Sequence, residues 1–549
     1  MTLRGAMLTR WTTTALICGA AMLTLVPAAL GQAQQYRMEK VIRGSDFHGV
    51  HGLAVDAKGN LFAGSVVGMS IYRVDQRRNK VGLEIGPPEG MADDIAFAPD
   101  GTMAWTAFLS GAIYARKGNG PLQTLATGLP GINSLAYNKE GKLFASQVFL
   151  GDALYEIDTK GTAPPRKIAE KLGGLNGFEF GADGLLYGPL WFKGLVVKID
   201  VKNGEITKVA EGFKIPAAVN FDSKGNLYVV DTALGELIKV DIKNGNKTIA
   251  AKLRPSLDNL AVDAADHIYV SNMADNSIQE VDPQTGRAKY IVKGQLAMPG
   301  GIALVEDKDG ETVYIADVFA FRSVQIKTGK IRDIARMQAD QLEYPFSITI
   351  DDKFIYLSSW FSGSVQKIDR KSLKTIDIFH DLKAPMDAIG LADGSILVAE
   401  FATGSLLKAS GAGGRQRAIL VKDLAGPVGM VPTGAGAVYV TESLNGQVTR
   451  IELANGARTV IARDLKQPEG IALAPDGNLI VADVGNKRLV SIEPKSGKVT
   501  VIADRLPIGL PAAPNTPPAY VPTGVAVSKA GVIYMSSDVE NALYKFTRK

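Results

Sequence analysis

The chain has 549 residues, of which 46% are hydrophobic and 21% charged, a balance typical of folded rather than disordered protein. This length exceeds what one ordinary hydrophobic core contains, so more than one domain is expected. The formal net charge is only +5 and no basic run is visible, which argues against a nucleic-acid-binding protein.

Residues 1–33 are predicted to be a secretory signal peptide. Arg4 and Arg10 precede the uncharged, apolar stretch Thr12–Leu30, and small residues follow it. The alternative is a retained membrane anchor. Cys18, the one cysteine, lies in this stretch, so the mature chain is expected to lack disulfides. We therefore expect a periplasmic or secreted protein with no membrane span after cleavage.

A repeat occupies the rest of the chain. In its plainest copy, Pro468–Asp483, two short apolar strands flank a Pro-Asp-Gly-Asn turn, and two more strands follow. Most copies are 40 to 43 residues apart, with one interval of 46 and one of 54, and a four-stranded unit of this length is typical of a β-propeller blade. The twelve copies start at His51, Asp93, Asn133, Asn176, Ala217, Asp258, Gly300, Phe346, Met386, Val428, Glu469 and Thr523.

The predicted fold is all-β, with two tandem six-bladed β-propellers. Rings usually have four to eight blades, so a single twelve-bladed ring is the alternative. The predicted domains are residues 36–287 and 288–549. For closure, we expect Tyr36–Arg43 to complete the sixth blade and Ala288–Lys293 to complete the twelfth, so that neither ring has an open edge.

The opening residue of each first strand should face the central channel. In the first half this position holds carboxylates, amides and one imidazole, whereas in the second half it is mostly apolar. Buried carboxylates and amides need partners, and a hard cation such as Ca²⁺ accepts several oxygen ligands. The alternative is a water-filled polar channel. The polar positions are His51, Asp93, Asn133, Asn176 and Asp258.

His51 is expected to act beside a metal ion rather than on it, because imidazole prefers softer ions. With His48 it could form a proton relay, or both could be turn residues. The loops after the second strands of the first half are rich in aromatics, which indicates either an apolar pocket or caps on the blade packing. The predicted pocket residues are His48, Trp105, Phe108, Phe149, Trp191 and Phe192.

The second half carries similar loop aromatics, including Phe319, Trp360 and Phe361, but no polar ring. We therefore predict a non-catalytic second propeller that supports the first or binds a protein partner. The Pro-rich insert Leu506–Pro522 is interpreted as a lid over the channel or as a loop at the domain interface.

The repeat resembles NHL-type and gluconolactonase-like (senescence-marker-protein) propellers. In particular, Ala92-Asp-Asp-Ile, Ile132-Asn-Ser-Leu, Leu175-Asn-Gly-Phe and Leu257-Asp-Asn-Leu-Ala-Val-Asp resemble metal-ligand strands of gluconolactonase and paraoxonase. The resemblance implies a channel calcium held by Asp93, Asn133, Asn176, Asp258 and Asn259. It also implies that Asp258 is the base or nucleophile. The blade order of the ligands departs from the family's, so Asp93 competes for that role.

The leading hypothesis is an exported, calcium-dependent hydrolase of a small-molecule lactone or ester, with Asp258, Asp93 and His51 as catalytic candidates. The first alternative is a non-catalytic propeller scaffold that binds a protein or a glycan. The second is a lyase of the streptogramin-lyase type, whose repeats look similar.

Overall fold

A computed structural model describes residues 36–434 and 436–549; the predicted signal peptide, residues 1–33, lies outside the described residues. The described chain is built from 48 strands and two 3-10 turns, Ala412–Gly414 and Val484–Asn486. Neither of these turns has the length and apolar character that a helix needs to cross a membrane.

The strands form twelve antiparallel sheets of four strands each, which are the blades. Every predicted repeat start falls in or just before the first strand of a sheet. First strands of consecutive blades lie side by side, and β2 of the first blade lies against β22 of the sixth. In the same way β26 of the seventh blade lies against β46 of the twelfth. The two six-bladed rings are therefore confirmed, and the single twelve-bladed ring is wrong.

The described part of the chain begins with β1 Tyr36–Ile42. The strands of the first ring are β2 Leu53–Val55, β3 Leu61–Ser65, β4 Ser70–Asp75, β5 Lys80–Ile85, β6 Ala92–Phe97, β7 Thr102–Ala107, β8 Ala112–Lys117, β9 Gln123–Ala126, β10 Ile132–Tyr137, β11 Leu143–Gln147, β12 Ala153–Ile157, β13 Arg166–Glu170, β14 Glu179–Phe180, β15 Leu186–Leu190, β16 Leu195–Asp200, β17 Glu205–Glu211, β18 Pro216–Phe221, β19 Leu227–Asp231, β20 Glu236–Val240, β21 Lys247–Lys252, β22 Leu257–Val262, β23 Ile268–Asn272, β24 Ser277–Val281 and β25 Ala288–Lys293.

The strands of the second ring are β26 Ile302–Asp307, β27 Gly310–Ala316, β28 Ala320–Gln325, β29 Lys330–Arg336, β30 Ser347–Ile350, β31 Phe354–Ser359, β32 Ser364–Asp369, β33 Lys374–Phe379, β34 Pro385–Gly390, β35 Ile396–Glu400, β36 Ser405–Ser410, β37 Gln416–Val421, β38 Pro427–Pro432, β39 Ala437–Glu442, β40 Gln447–Glu452, β41 Arg458–Ala462, β42 Pro468–Leu473, β43 Leu479–Asp483, β44 Arg488–Ile492, β45 Val499–Ala503, β46 Val525–Val527, β47 Ile533–Ser537 and β48 Ala542–Arg548.

Both predicted strand exchanges are wrong. β25 pairs with β24 and so completes its own sixth blade, whereas β1 pairs with β48 and completes the twelfth. From Tyr36 onward, the described chain therefore begins in the second ring, forms the whole first ring, and then returns to the second. The first ring closes without an exchanged strand, and the chain crosses between the rings twice, at residues 43–52 and 294–301.

A bulge near the start of many first strands directs side chains toward the channel. In the first ring, pairing shifts between Ala92 and Ile95 and between Leu257 and Leu260, so the residues between them have no partner in the adjacent strand. A bulge of this kind re-aims side chains and leaves backbone groups to be satisfied elsewhere. The backbone N–H of Asp94, for example, donates to the Thr106 hydroxyl at 3.0 Å.

The two rings pack through a hydrophobic cluster from their facing loops. From the first ring it includes Val66, Met91, Phe108 and Met273, and from the second Phe319 and Phe346, together with Tyr520 of the predicted insert. A group of ion pairs, buried except for the half-exposed Arg254, extends this junction. It consists of Arg254, Asp275, Asp317, Arg322, Asp333 and Arg336. Arg336 of the second ring lies 2.9 Å from Asp275 of the first.

Candidate active site

A cavity of about 300 Å³ lies at the upper end of the first ring's channel. Its floor is the predicted polar ring, because His51, Asp93, Asn133, Asn176 and Asp258 all line it. The bulges in β6 and β22 place Asp93 and Asp258 at this level. The sequence register thus brings five side chains from five blades to one point.

The two carboxyl groups of the floor share one environment. Burial raises the pKa of Asp93 well above its ordinary value, and the negative charges of Asp258 and Asp94 raise it further. Burial also raises the pKa of Asp258 to about 7, with a contribution from Asp94. Full ionisation of this pair is therefore opposed unless positive charge is supplied. No Lys or Arg is among the residues that line the cavity.

The two amides present oxygen atoms close together. The hydroxyl of Ser134 lies 2.8 Å from Asn133 Oδ1 and 2.9 Å from Asn176 Oδ1. Asn176 Oδ1 also accepts a hydrogen bond from the Gly177 backbone N–H at 2.8 Å. Both amide side chains line the same cavity as the two carboxyl groups.

His51 is buried and neutral. Its Nδ1 donates to the Gly49 carbonyl at 3.0 Å, which leaves Nε2 as the proton-accepting nitrogen. Burial lowers the pKa of His51 to about 4. His48 lies elsewhere: its ring nitrogens contact the Tyr72 hydroxyl at 3.2 Å and the Val539 carbonyl at 3.0 Å, and it does not line the cavity. The structure therefore does not bring the two histidines together as a relay.

A second polar layer lies next to the floor. Asn259 Nδ2 donates to Asp94 Oδ1 at 3.1 Å, and Asn259 is not among the cavity-lining residues. Asp94 in turn accepts the backbone N–H groups of Ile95 at 3.0 Å and Leu135 at 3.2 Å. The resemblance implied Asn259 as a ligand, but the structure places its amide on Asp94, away from the cavity.

Other buried carboxylates in the protein accept backbone hydrogen bonds, as Asp94 does, whereas the two on the floor accept none from the described residues. Asp387 of the second ring accepts the backbone N–H groups of Ala388 and Met430, both at 2.9 Å, as Asp94 does in the first ring. Glu469 accepts the Thr523 N–H at 2.7 Å. These carboxylates tie neighbouring blades together. Asp93 and Asp258, in contrast, accept no backbone hydrogen bond from any described residue.

The aromatic walls include four of the six predicted pocket residues. Phe108, Phe149, Trp191 and Phe192 line the cavity. Phe149 contacts Trp191 and Phe192 edge to face, with ring centroids 5.5 and 5.6 Å apart. Trp105 does not line the cavity; it is fully buried inside its blade and donates to the Glu89 carbonyl at 2.7 Å. Trp105 therefore packs within its blade, which was the alternative to a pocket role for these loop aromatics.

The roof comes from the second ring, and of its segments only the insert Leu506–Pro522 was predicted to be a lid or an interface loop. Gln338 and Tyr344, from the β29–β30 connection, and Tyr520, from the insert, line the same cavity. Those segments account for the two irregular intervals in the repeat, 46 and 54 residues, which were the available signal. Phe319, Trp360 and Phe361, assigned to a non-catalytic ring, also belong to the roof.

The floor fits a hard cation by its chemistry. Two carboxylates and two amide oxygens are ligands that Ca²⁺ accepts, with water completing the shell. Residues 36–434 and 436–549 contain no group of three or more His, Cys, Asp or Glu side chains arranged to hold a metal ion. A cation here would therefore depend on the amides as well as on Asp93 and Asp258.

Two protein-family models match the chain, one in each ring. Residues 92–293 match the SMP-30/Gluconolactonase/LRE-like region, and residues 465–490 match an NHL repeat. The first match includes all the floor residues except His51. It covers less than half of the chain. No curated protein matches the chain.

Solved structures give distant matches. A putative gluconolactonase is 11% identical, with 48% of this chain and 95% of that chain covered and a TM-score of 0.37. Aldose sugar dehydrogenase from Streptomyces coelicolor, in its PQQ-bound form, is 14% identical, with 44% and 93% covered and a TM-score of 0.36. Virginiamycin B lyase from Staphylococcus aureus is 12% identical, with 59% and 96% covered and a TM-score of 0.25. At these scores the likenesses carry no argument about activity.

Proposed function

We propose that this chain, whose first propeller carries a gluconolactonase-like region, is a metal-dependent hydrolase of a lactone or ester. In this proposal Asp93, Asn133, Asn176 and Asp258 hold a hard divalent cation such as Ca²⁺, and His51 accepts a proton. We also propose a periplasmic or secreted location, which rests on the character of residues 1–33 alone.

One observation carries the proposal. Asp93 and Asp258 face the cavity without a backbone donor, whereas Asp94 and Asp387 each accept two backbone N–H groups and Glu469 accepts one. Buried carboxyl groups without such donors are costly to the fold, so their presence in one cavity indicates a functional role. A structural carboxylate in this protein, such as Asp94, accepts a backbone N–H from the next blade.

The residues divide the chemistry between them. A bound cation would polarise the substrate carbonyl and favour the negative charge that develops on its oxygen. His51, whose Nδ1 donates to the Gly49 carbonyl, would take a proton from an attacking water at Nε2. Asp258 is the competing base, because it lines the cavity and accepts no backbone hydrogen bond from the described residues.

The test combines metal analysis with hydrolysis. We expect the purified protein to bind calcium and to hydrolyse lactones or aryl esters in a chelator-sensitive way. Asp93→Asn and Asp258→Asn should each abolish both properties, and His51→Gln should abolish hydrolysis while calcium binding remains. Glu469→Gln, at the equivalent position of the second ring, is the control and should change neither. Hydrolysis that survives both Asp substitutions would refute the site.

A further inference from the structure

We propose that the second propeller forms half of the active site and selects the substrate, which is compact, uncharged and largely apolar. This inference rests on the proposed function for the hydrolysis itself. Substrate selection is inferred from other residues, those of the second propeller. The roof residues are Val318, Phe319, Gln338, Tyr344, Trp360, Phe361 and Tyr520.

The roof is a packed aromatic surface. Tyr344 contacts Phe361 edge to face at 5.1 Å, and Phe319 at 6.3 Å. Phe319 also meets the His51 ring of the floor at 5.3 Å, which joins roof to floor. Trp360 stacks against Tyr520 at 5.6 Å and donates its indole N–H to the Tyr520 carbonyl at 2.8 Å. That donor is therefore not available to a substrate.

Size and charge limit what the chamber accepts. A volume of about 300 Å³ is at the small end of the roughly 300–1,000 Å³ that ligand pockets span. No lining side chain is a Lys or Arg that could pair with an anionic substituent. A polyhydroxylated ligand would leave hydroxyls unpaired against these aromatic walls, and such burial is unfavourable. An alkyl or aryl ester or lactone fits both limits.

Tyr344 lines the same cavity as Asp93 and Asp258. Burial, together with the charges of Asp258 and Asp93, raises the pKa of the Tyr344 hydroxyl to about 12, so it remains a hydrogen-bond donor. Tyr344, Gln338 and Val318 all have positive φ angles, 42°, 64° and 39°. Non-glycine residues adopt this conformation at a cost, and such residues cluster at functional sites. The same conformation recurs at equivalent loop positions of other blades, including Asp381 and Ala384, so here it belongs to the blade repeat.

The first test measures binding without catalysis. Trp191 and Trp360 line the chamber, so phenylcyclohexanone, an uncharged ketone that cannot be hydrolysed, should quench tryptophan fluorescence. Phe361→Ala should weaken this binding about fivefold, as expected for the loss of one aromatic contact. Leu444→Ala is the matched control: Leu444 occupies the same loop position in a later blade, is 61% exposed and does not line the chamber. It should bind as the parent does.

The second test measures selection. In a pH-stat assay the protein should prefer phenyl acetate to glucono-δ-lactone by more than tenfold, and Phe361→Ala should reduce this ratio. Tyr344→Phe, which keeps the ring contacts, should lower kcat/KM for phenyl acetate about tenfold through loss of one hydrogen bond. Roof-dependent ketone binding without any hydrolysis would refute the hydrolase but support the roof. If Phe361→Ala and Tyr344→Phe leave ketone binding and substrate preference unchanged, the proposed role of the roof is overturned, whether or not the protein hydrolyses esters.

Discussion

Replacing Asp258 by Asn should stabilise the metal-free protein above neutral pH and remove its response to calcium. The side chain keeps its size but can no longer ionise. Its pKa rises from the ordinary 3.8 to about 7 in the folded protein. Each decade in an acid constant corresponds to 1.36 kcal/mol, so keeping this carboxylate ionised in the fold costs about 4 kcal/mol.

The size of this cost depends on pH. Between pH 3.8 and about 7 the folded protein binds more protons at this site than the unfolded chain, so stability falls as pH rises through that range. At pH 5 the cost is under about 2 kcal/mol, because the folded carboxyl is protonated, whereas at pH 8 it reaches about 4 kcal/mol. The gain from Asp258→Asn should therefore be at least about 2 kcal/mol larger at pH 8.

The assay is urea unfolding with chelator at pH 5 and pH 8, followed by thermal unfolding with and without calcium. The parent should show an increase in Tm with calcium at pH 8, and Asp258→Asn should show none. Glu469→Gln should keep the calcium response, because its carboxylate lies in the other ring and accepts the Thr523 N–H. A stability gain that does not depend on pH, or a calcium response that persists in Asp258→Asn, would refute the reasoning.

Three further predictions concern pH, the ring junction and ring closure. Calcium affinity measured by calorimetry should fall about thirtyfold from pH 8 to pH 5.5, since protons compete for Asp258; an affinity unchanged by pH would contradict this. Arg336→Met should cost about 1–3 kcal/mol, because buried Asp275 loses one partner but keeps Arg254, and calorimetry should then show the rings unfolding separately; a single unchanged transition would be inconsistent with it. Deleting Tyr36–Ile42 should raise hydrogen exchange in the twelfth blade but not in residues 53–293, because that strand pairs only with β48; protection retained in β48 would contradict the closure.

Strand exchange was the part of the fold that the repeat left open. An outer-type strand at Tyr36 and an incomplete last blade are both visible in the sequence, and a strand of the same type occurs at Ala288. Any of these edges can pair with any other, because backbone hydrogen bonds carry no sequence label. Only the folded arrangement shows that β25 stays in its own blade and β1 closes the second ring.

The sequence by itself determined the twelve blades, the two rings and the floor of the site, because a repeat that recurs around an axis places equal positions at equal depth. His51, Asp93, Asn133, Asn176 and Asp258 were found in this way. It could not separate Asn259, one residue further on, because a bulge decides which of two neighbours faces the cavity. The roof was decided mainly by tertiary structure, because, of its segments, only the insert Leu506–Pro522 was predicted to be a lid or an interface loop. Tyr344 and Tyr520 reach the floor of a different ring, and packing between rings follows no repeat period.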